Sequence, residues 1–242
     1  MSKKSSFRYV QWALVVSTIL IIAGVFLIDT VKNRFFDQSI LREGVIVYEV
    51  SYPEISDDHL LKPFLPKRMV LTVKKNLVRF ETKAGIGLFH TGYIMDTKAQ
   101  NLTGFLKLIN VKYASAFNHD AVVSSVLEEP AMILELGNET ASIAGLKCSV
   151  GKLTFKEIED TKICYTEDVR VPGLNWNAPY AEYPGLFLEY DIFKSGIHMH
   201  LKLKELRKEK VSKSAFEIPE DYIYIENDAY NQELGKTFKA LD

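Results

Sequence analysis

Two hydrophobic patterns divide the chain. The first is a block: Tyr9–Ile28 (YVQWALVVSTILIIAGVFLI) carries no charged side chain and is apolar on every helical face. As a helix rising about 1.5 Å per residue, it spans roughly 30 Å, the thickness of a bilayer's hydrocarbon core. An amphipathic helix of a soluble domain would show one polar face, and this run shows none. It also exceeds the apolar region of a cleaved signal, about 7–15 residues, and the following FLIDTVKNRFF contains no small-x-small cleavage site. No Cys follows for lipid attachment. The pattern predicts a cytoplasmic N-terminus and uncleaved transmembrane anchor over 1–30, with a membrane-proximal connector over 31–44. Ser17, Thr18 and Gly24 are the small residues that would let this helix pack closely on other transmembrane segments.

The second pattern is a series of short alternating runs. Val45–Pro53 is rich in β-branched and aromatic residues, and Arg68–Lys74 places Met69, Leu71 and Val73 on one face before turning at Lys75-Asn76 into Leu77–Thr82. Ile86–Asp96, Thr103–Tyr113, Ala131–Leu136, Thr140–Val150, Lys152–Ile158 and Thr161–Val169 follow as strands. Leu186–Phe193 and Ile197–Leu206 form a hairpin turning at Lys194-Ser195-Gly196. Helical pattern is scarce. His119–Glu129 is one short helix, capped by Asn118 and stopped by Pro130. The amphipathic tail 227–242 places Tyr230, Leu234, Phe238 and Leu241 on one face, with Asp228 as its cap. The expected fold is mainly β: after the transmembrane helix, an antiparallel curled sheet or half-open β-barrel over 45–226 with one or two short helices.

Charge changes this picture at the N-terminus. The whole chain of 242 residues has 30 basic and 31 acidic residues, a net of −1. Lys3, Lys4 and Arg8 precede the apolar block, whereas Lys32 and Arg34 after it are partly offset by Asp29. The bias favours a single-pass topology with the N-terminus in the cytoplasm and everything after Asp29 outside. Beyond residue 34 there remain 25 basic and 30 acidic residues, so the exported part is mildly acidic, at −5. Such a balance excludes a basic nucleic-acid-binding surface, and two Cys exclude a disulfide scaffold or a Cys-rich zinc module.

Candidate chemistry is sparse. Leu186, Leu188, Tyr190 and Ile192, with Ile197, Met199, Leu201 and Leu203 on the returning strand, form an apolar face, either core or the wall of a ligand cavity. Pro184-Gly185 turns the chain sharply before it, with Gly185 free to take a positive φ. On the opposite face stand His198 and His200, whose spacing places both imidazoles on one side as a metal would require. Lys202 and Lys204 complete that side and repel a cation, and no nearby carboxylate joins the pair, so the reading is a solvated polar face. No G-x-S-x-G elbow, H-E-x-x-H or Walker-type loop occurs, and no catalytic, metal or cofactor residues are assigned. Cys148 and Cys164 lie on neighbouring predicted strands in an oxidising compartment, as a disulfide or as two free buried thiols.

Three motifs in order resemble the GLPGLI family of bacterial envelope proteins. Ile143-Ala144-Gly145-Leu146-Lys147-Cys148 matches that family's I-A-G-Y-K-C-like strand, and Cys164-Tyr165-Thr166-Glu167-Asp168-Val169 its W-Y-T-x-[DE]-I-like strand, with Cys where Trp is common. Tyr183-Pro184-Gly185-Leu186-Phe187-Leu188 matches the segment for which the family is named, lacking the leading Gly-Leu. The closing Phe216–Tyr222 is similar to its final F-x-I-P-x-x-Y. The resemblance covers Val45 to about Ile225. It implies a LolA/LolB-like half-open barrel around an apolar cavity and an extracytoplasmic location, but no catalytic residues.

The expected function is therefore non-catalytic: an inner-membrane-anchored periplasmic accessory or interaction subunit of an envelope assembly. The alternatives are a LolA-like binding domain for lipid, an acyl chain or an apolar peptide, and an enzyme of unknown class. Partners are the membrane through Tyr9–Ile28 and other envelope proteins, not nucleic acid.

Overall fold

The computed structural model describes residues 39–239 apart from 61, 128–131, 156–157, 179–180, 182, 184 and 195–196. Tyr9–Ile28, with Ser17, Thr18 and Gly24, and most of the connector lie outside the described residues. Among those described, no helix is long and apolar enough to cross a membrane.

The alternating runs form twelve strands: β1 (Glu43–Ser51), β2 (Arg68–Lys74), β3 (Leu77–Ala84), β4 (Phe89–Asp96), β5 (Asn101–Leu108), β6 (Val111–Phe117), β7 (Met132–Ile143), β8 (Leu146–Phe155), β9 (Ile158–Arg170), β10 (Gly185–Lys194), β11 (Ile197–Arg207) and β12 (Ile223–Tyr224). Two helices, α1 (His119–Leu127) and α2 (Asn227–Lys239), complete the described secondary structure apart from short 3-10 turns. The strands build one sheet in the order β12-β6-β5-β4-β3-β2-β1-β11-β10-β9-β8-β7. It is mainly β, open rather than closed, and curled. Two meanders, β1–β6 and β7–β11, meet where β1 pairs antiparallel with β11, from Val45↔Arg207 to Ser51↔His200.

Alternation then decides which side is core. On β1, Ile46, Tyr48 and Val50 face the same side as Leu71 and Val73 of β2 and Leu201 and Leu203 of β11, and all are buried. Burial of each such side chain stabilises the fold by about 1.5–3 kcal/mol, which is why the register of this junction is strongly specified. A bulge protects it. Val47 pairs with Glu205 but Tyr48 with Leu203, so Lys204 is the extra residue and Leu206, opposite Ile46, returns to the apolar side. Tyr48 satisfies its hydroxyl within the core by donating to the Phe187 carbonyl at 2.7 Å.

Several features depart from the sequence expectation. Thr103–Tyr113 is two strands, because the chain reverses at Ile109-Asn110 with Ile109 at φ +56°. A β-branched residue signals strand continuation and rarely takes that conformation. Thr140–Val150 is likewise divided, at Ala144-Gly145, where φ is +49° and +81°. The apolar alternation of Leu186, Leu188, Tyr190 and Ile192 is broken by a bulge, since Phe187 and Glu189 pair with the consecutive Tyr165 and Cys164. Leu186, Phe187 and Leu188 are consequently all buried. Gly185 is needed for close approach rather than positive φ: a Cβ there would lie 2.1 Å from the Thr166 carbonyl oxygen.

The termini of the domain are also tied in. Leu41 is buried and its N–H donates to the Arg170 carbonyl, so pairing begins before residue 45. At the other end, α2 packs Tyr230 against Gly104, where any Cβ would come within 2.9 Å of the ring. Asp228 lies inside the first turn of this helix instead of capping it. Asn118 caps α1 as its sequence indicates, its Oδ1 accepting from the Ala121 N–H at 2.9 Å. The segment before α2 crosses β3–β6 on the face opposite the core. There the Ala215 carbonyl accepts from Arg79 at 2.8 Å, and Tyr222 meets Phe105 edge-on at 6.4 Å.

Cys148 and Cys164 are joined by a disulfide with Cα atoms 5.5 Å apart. Cys164 stands opposite Val150, so the bridge runs diagonally across the β8–β9 ladder. The closed loop, with a sequence separation of 16, restricts the unfolded chain by about 3 kcal/mol. Two outcomes are expected. Alkylation of the unfolded, unreduced protein leaves both Cys unmodified, and reduction lowers the unfolding free energy in urea by about 2–4 kcal/mol. Separately, Gly185→Ala should cost about 3 kcal/mol in the same measurement, because the Thr166 carbonyl is backbone and cannot step aside.

Candidate functional site

The central strands carry their polar residues on the side away from the core. Phe193, Asp191 and Glu189 of β10 stand opposite His198, His200 and Lys202 of β11, and Glu49 of β1 stands opposite Lys202 from the other side. Because directly opposed side chains on one face are neighbours, Asp191–His200 and Glu189–Lys202 become charged cross-strand pairs, while Phe193 meets the His198 ring. His200 donates from Nδ1 to Asp191 Oδ1 at 3.0 Å and from Nε2 to Glu189 Oε1 at 3.3 Å. His198 Nε2 also reaches Asp191 Oδ1, at 2.8 Å, while its Nδ1 meets Glu54 at 3.2 Å and its ring stacks on Phe193. Lys202 bonds Glu189 at 2.7 Å, and Lys204 bonds Glu49.

The carboxylates correct the sequence reading, which found no acid joined to the histidine pair. Asp191 lies on the neighbouring strand, seven residues from His198, and only the β10–β11 register brings it between both imidazoles. The electrostatics follow from these contacts. For His200 the hydrogen bond to Asp191 outweighs burial and raises the imidazole above its usual 6.5. For Asp191 burial pushes the carboxyl up, but hydrogen bonds from His200 and His198 prevail and hold it below the usual 3.8. Glu189 is displaced downward in the same way, with Lys202 its main partner after the opposing burial.

This geometry limits the chemistry available. A general base must present a neutral nitrogen to the proton it removes. Both nitrogens of His200 are engaged by carboxylates that favour the imidazolium, so neither is turned toward Ser51, which stands opposite it on β1. The acids are likewise held ionised as acceptors. Among the described residues, no group of three or more His, Cys, Asp or Glu is arranged to hold a metal ion.

Beside the ladder lies an open groove of about 660 Å³, bounded by the end of β1, the following connection and the start of β2. Val50, Tyr52, Pro53 and Leu65 are the apolar members of its lining, and Lys62, Lys67, Arg68 and Lys202 with His200 outnumber Glu49 and Asp57 there. Tyr52 is fixed there by donating to the Pro66 carbonyl at 2.8 Å. Lys62 is held by Asp57 and the Ile55 carbonyl, each at 2.7 Å, whereas Lys67 and Arg68 are exposed on the rim. The sequence conceals this groove because its rim is assembled from three segments, and no motif links Lys67-Arg68 to His200 and Lys202.

The other expected residues are placed differently. Ile197, Leu201 and Leu203 are buried in the core, with Met199 and Ile192 packed against it. A second polar cluster sits on β3 and β4. Burial opposes ionisation of Glu81, but His90 at 2.9 Å, Arg79 at 3.0 Å and Lys83 at 3.2 Å together lower its carboxyl to about 2. Arg79 also lies over the Phe105 ring at 4.6 Å, so this cluster fastens the sheet beneath the crossing segment. Compared with known proteins, the chain matches no family model, and no curated protein matches it.

The ladder makes stability depend on pH in a defined direction. The contribution of His200 is complete below its usual 6.5 and is lost as pH rises through the raised folded value. That of Asp191 is present above its usual 3.8 and is lost as pH falls through its lowered value. The melting temperature should therefore be higher near pH 5.5, below the imidazole's usual 6.5, than near pH 8.5. In His200→Gln this alkaline decline should flatten, as scanning calorimetry across the two conditions would record.

Proposed function

We propose that this chain is a non-catalytic interaction subunit of a bacterial envelope assembly, tethered to the inner membrane by Tyr9–Ile28 with its β domain in the periplasm. The open sheet is read as a half-open barrel of the kind that the resemblance to GLPGLI proteins implies. The observation that carries the functional reading is the groove, in whose lining apolar residues stand beside more cations than carboxylates. Such a surface receives a partner segment that combines apolar side chains with carboxylates, and the complementary charge both steers and selects it. Two features support binding over turnover. The titratable groups beside the groove are locked into mutual ion pairs, and the apolar face of the sheet is occupied by packed core side chains such as Leu188, Leu201 and Leu203.

Native mass spectrometry of the full chain extracted in mild detergent tests the reading. A stoichiometric partner protein is expected on the wild type. The double variant Lys67→Glu, Arg68→Glu should reduce its recovery about tenfold while lowering the melting temperature only slightly, since both residues are exposed although a carboxylate at 68 would stand opposite Glu49. A bare wild-type monomer, or a complex indifferent to the charge reversal, would overturn the proposal.

A further inference from the structure

The β1–β2 connection forms one side of the groove through Tyr52, Pro53, Lys62 and Leu65, and β11 borders it at His200. Beside the groove an alternating chain of acids and imidazoles ties the two together. Glu54 of the connection meets His198 Nδ1 at 3.2 Å, and His198 Nε2 meets Asp191 at 2.8 Å. Asp191 in turn meets His200 Nδ1 at 3.0 Å, and His200 Nε2 meets Glu189 at 3.3 Å.

Proton count decides whether this chain can be complete. An ionised carboxylate only accepts hydrogen bonds, and a neutral imidazole has a single N–H. Each ring stands between two carboxylates, so it satisfies both neighbours only as an imidazolium. A neutral ring must turn a lone pair toward one of them. Asp191 cannot exchange that lost bond for water, because its side chain is only 6% exposed. Glu54 can, at 66% exposed. Loss of the His198 proton therefore leaves the remaining N–H with Asp191 and releases Glu54 to solvent.

The surrounding groups set the direction. Phe193, Asp191 and Glu189 face the rings from β10, and Ser51 and Glu49 stand opposite His200 and Lys202 on β1. The neighbouring cations are engaged elsewhere, Lys202 with Glu189 and Lys204 with Glu49. In the connection Asp57 binds Lys62, and Asp58 accepts from Ser56. Three acids thus enclose two rings and favour their charged form, in keeping with the upward displacement of His200.

We propose that Glu54, His198 and Asp191, completed by His200 and Glu189, form a proton-dependent latch on the groove. At acidic pH the latch is closed and holds the β1–β2 connection against β11; at alkaline pH it opens and frees that side of the groove. It acts on the wall of the groove, so it stands or falls independently of what the groove receives.

The test is hydrogen exchange of the full chain in mild detergent, read at single amides by fragmentation mass spectrometry, with intrinsic rates divided out at each pH. The amides of Ile55, His59, Lys62 and Leu65 report on the connection, since each donates to a carbonyl within it. The Leu174 amide, bonded to the Val171 carbonyl in the β9–β10 connection, is the control. Between pH 5.5 and pH 8.5 the protection of the four reporters should fall at least about fivefold more than that of Leu174. Glu54 is exposed, so Glu54→Ala should fold normally, yet its reporters should already be weakly protected at the lower pH. In Glu54→Gln the amide can accept from a charged ring or donate to a neutral one, so the excess pH dependence should disappear. Wild-type reporters that change no more than Leu174 would overturn the proposal. So would a pH dependence that Glu54→Ala leaves intact.

Discussion

The ladder between β1 and β11 is the junction on which the described sheet depends. Each meander pairs its own strands through local turns, but β1 and β11 are separated by about 150 residues of sequence and join the two meanders. Closing so long a connection costs entropy before any contact offsets it. The junction must therefore be decisive on both of its faces. On one face Ile46, Tyr48 and Val50 meet Leu206, Leu203 and Leu201; on the other Glu49 and Ser51 meet Lys202 and His200. A slip of one residue would expose the first set and bury the second, so hydrophobic burial and charge pairing specify the same register.

Local irregularities preserve that arrangement. The extra residue Lys204 in β11 keeps Leu206 on the apolar side, and the bulge in β10 changes the alternation before Glu189 so that the acids of the ladder remain on the polar side. The free edges are handled by comparable means. In β7 the pairing moves from Leu136↔Gly151 to Thr140↔Ser149, which places a bulge in the middle of the edge strand, and Glu135 and Glu139 flank it. At the other edge β12 is two residues long. Bulges, charge and short strands are how open sheets avoid pairing with foreign strands.

The electrostatic character of the site follows from the same register. His198 and His200 in isolation suggest a metal pair, and Lys202 and Lys204 suggest a cationic stripe. Placing Asp191, Glu189 and Glu49 between them converts both into a neutralised network. The net positive rim that remains is set by Lys67 and Arg68, which come from the start of β2 and its approach.

Much of the strand content was legible because alternation at period two is a local signal, as at Arg68–Lys74, which has the same limits in the structure. The helix at His119 was legible for the same reason, through its Asn118 cap. Turns at Ile109 and Ala144 were not, since neither residue type advertises a positive φ and tertiary pairing forces it upon them. The mild acidity of the chain beyond residue 34, the scarcity of catalytic motifs and the division of the β10–β11 hairpin into an apolar and a polar face belong to the sequence by itself. Which acid meets which histidine and which cations surround the groove were decided by the tertiary structure alone. They depend on strand register between distant segments, and register is set by the sum of burial over the whole sheet rather than by any short stretch of it.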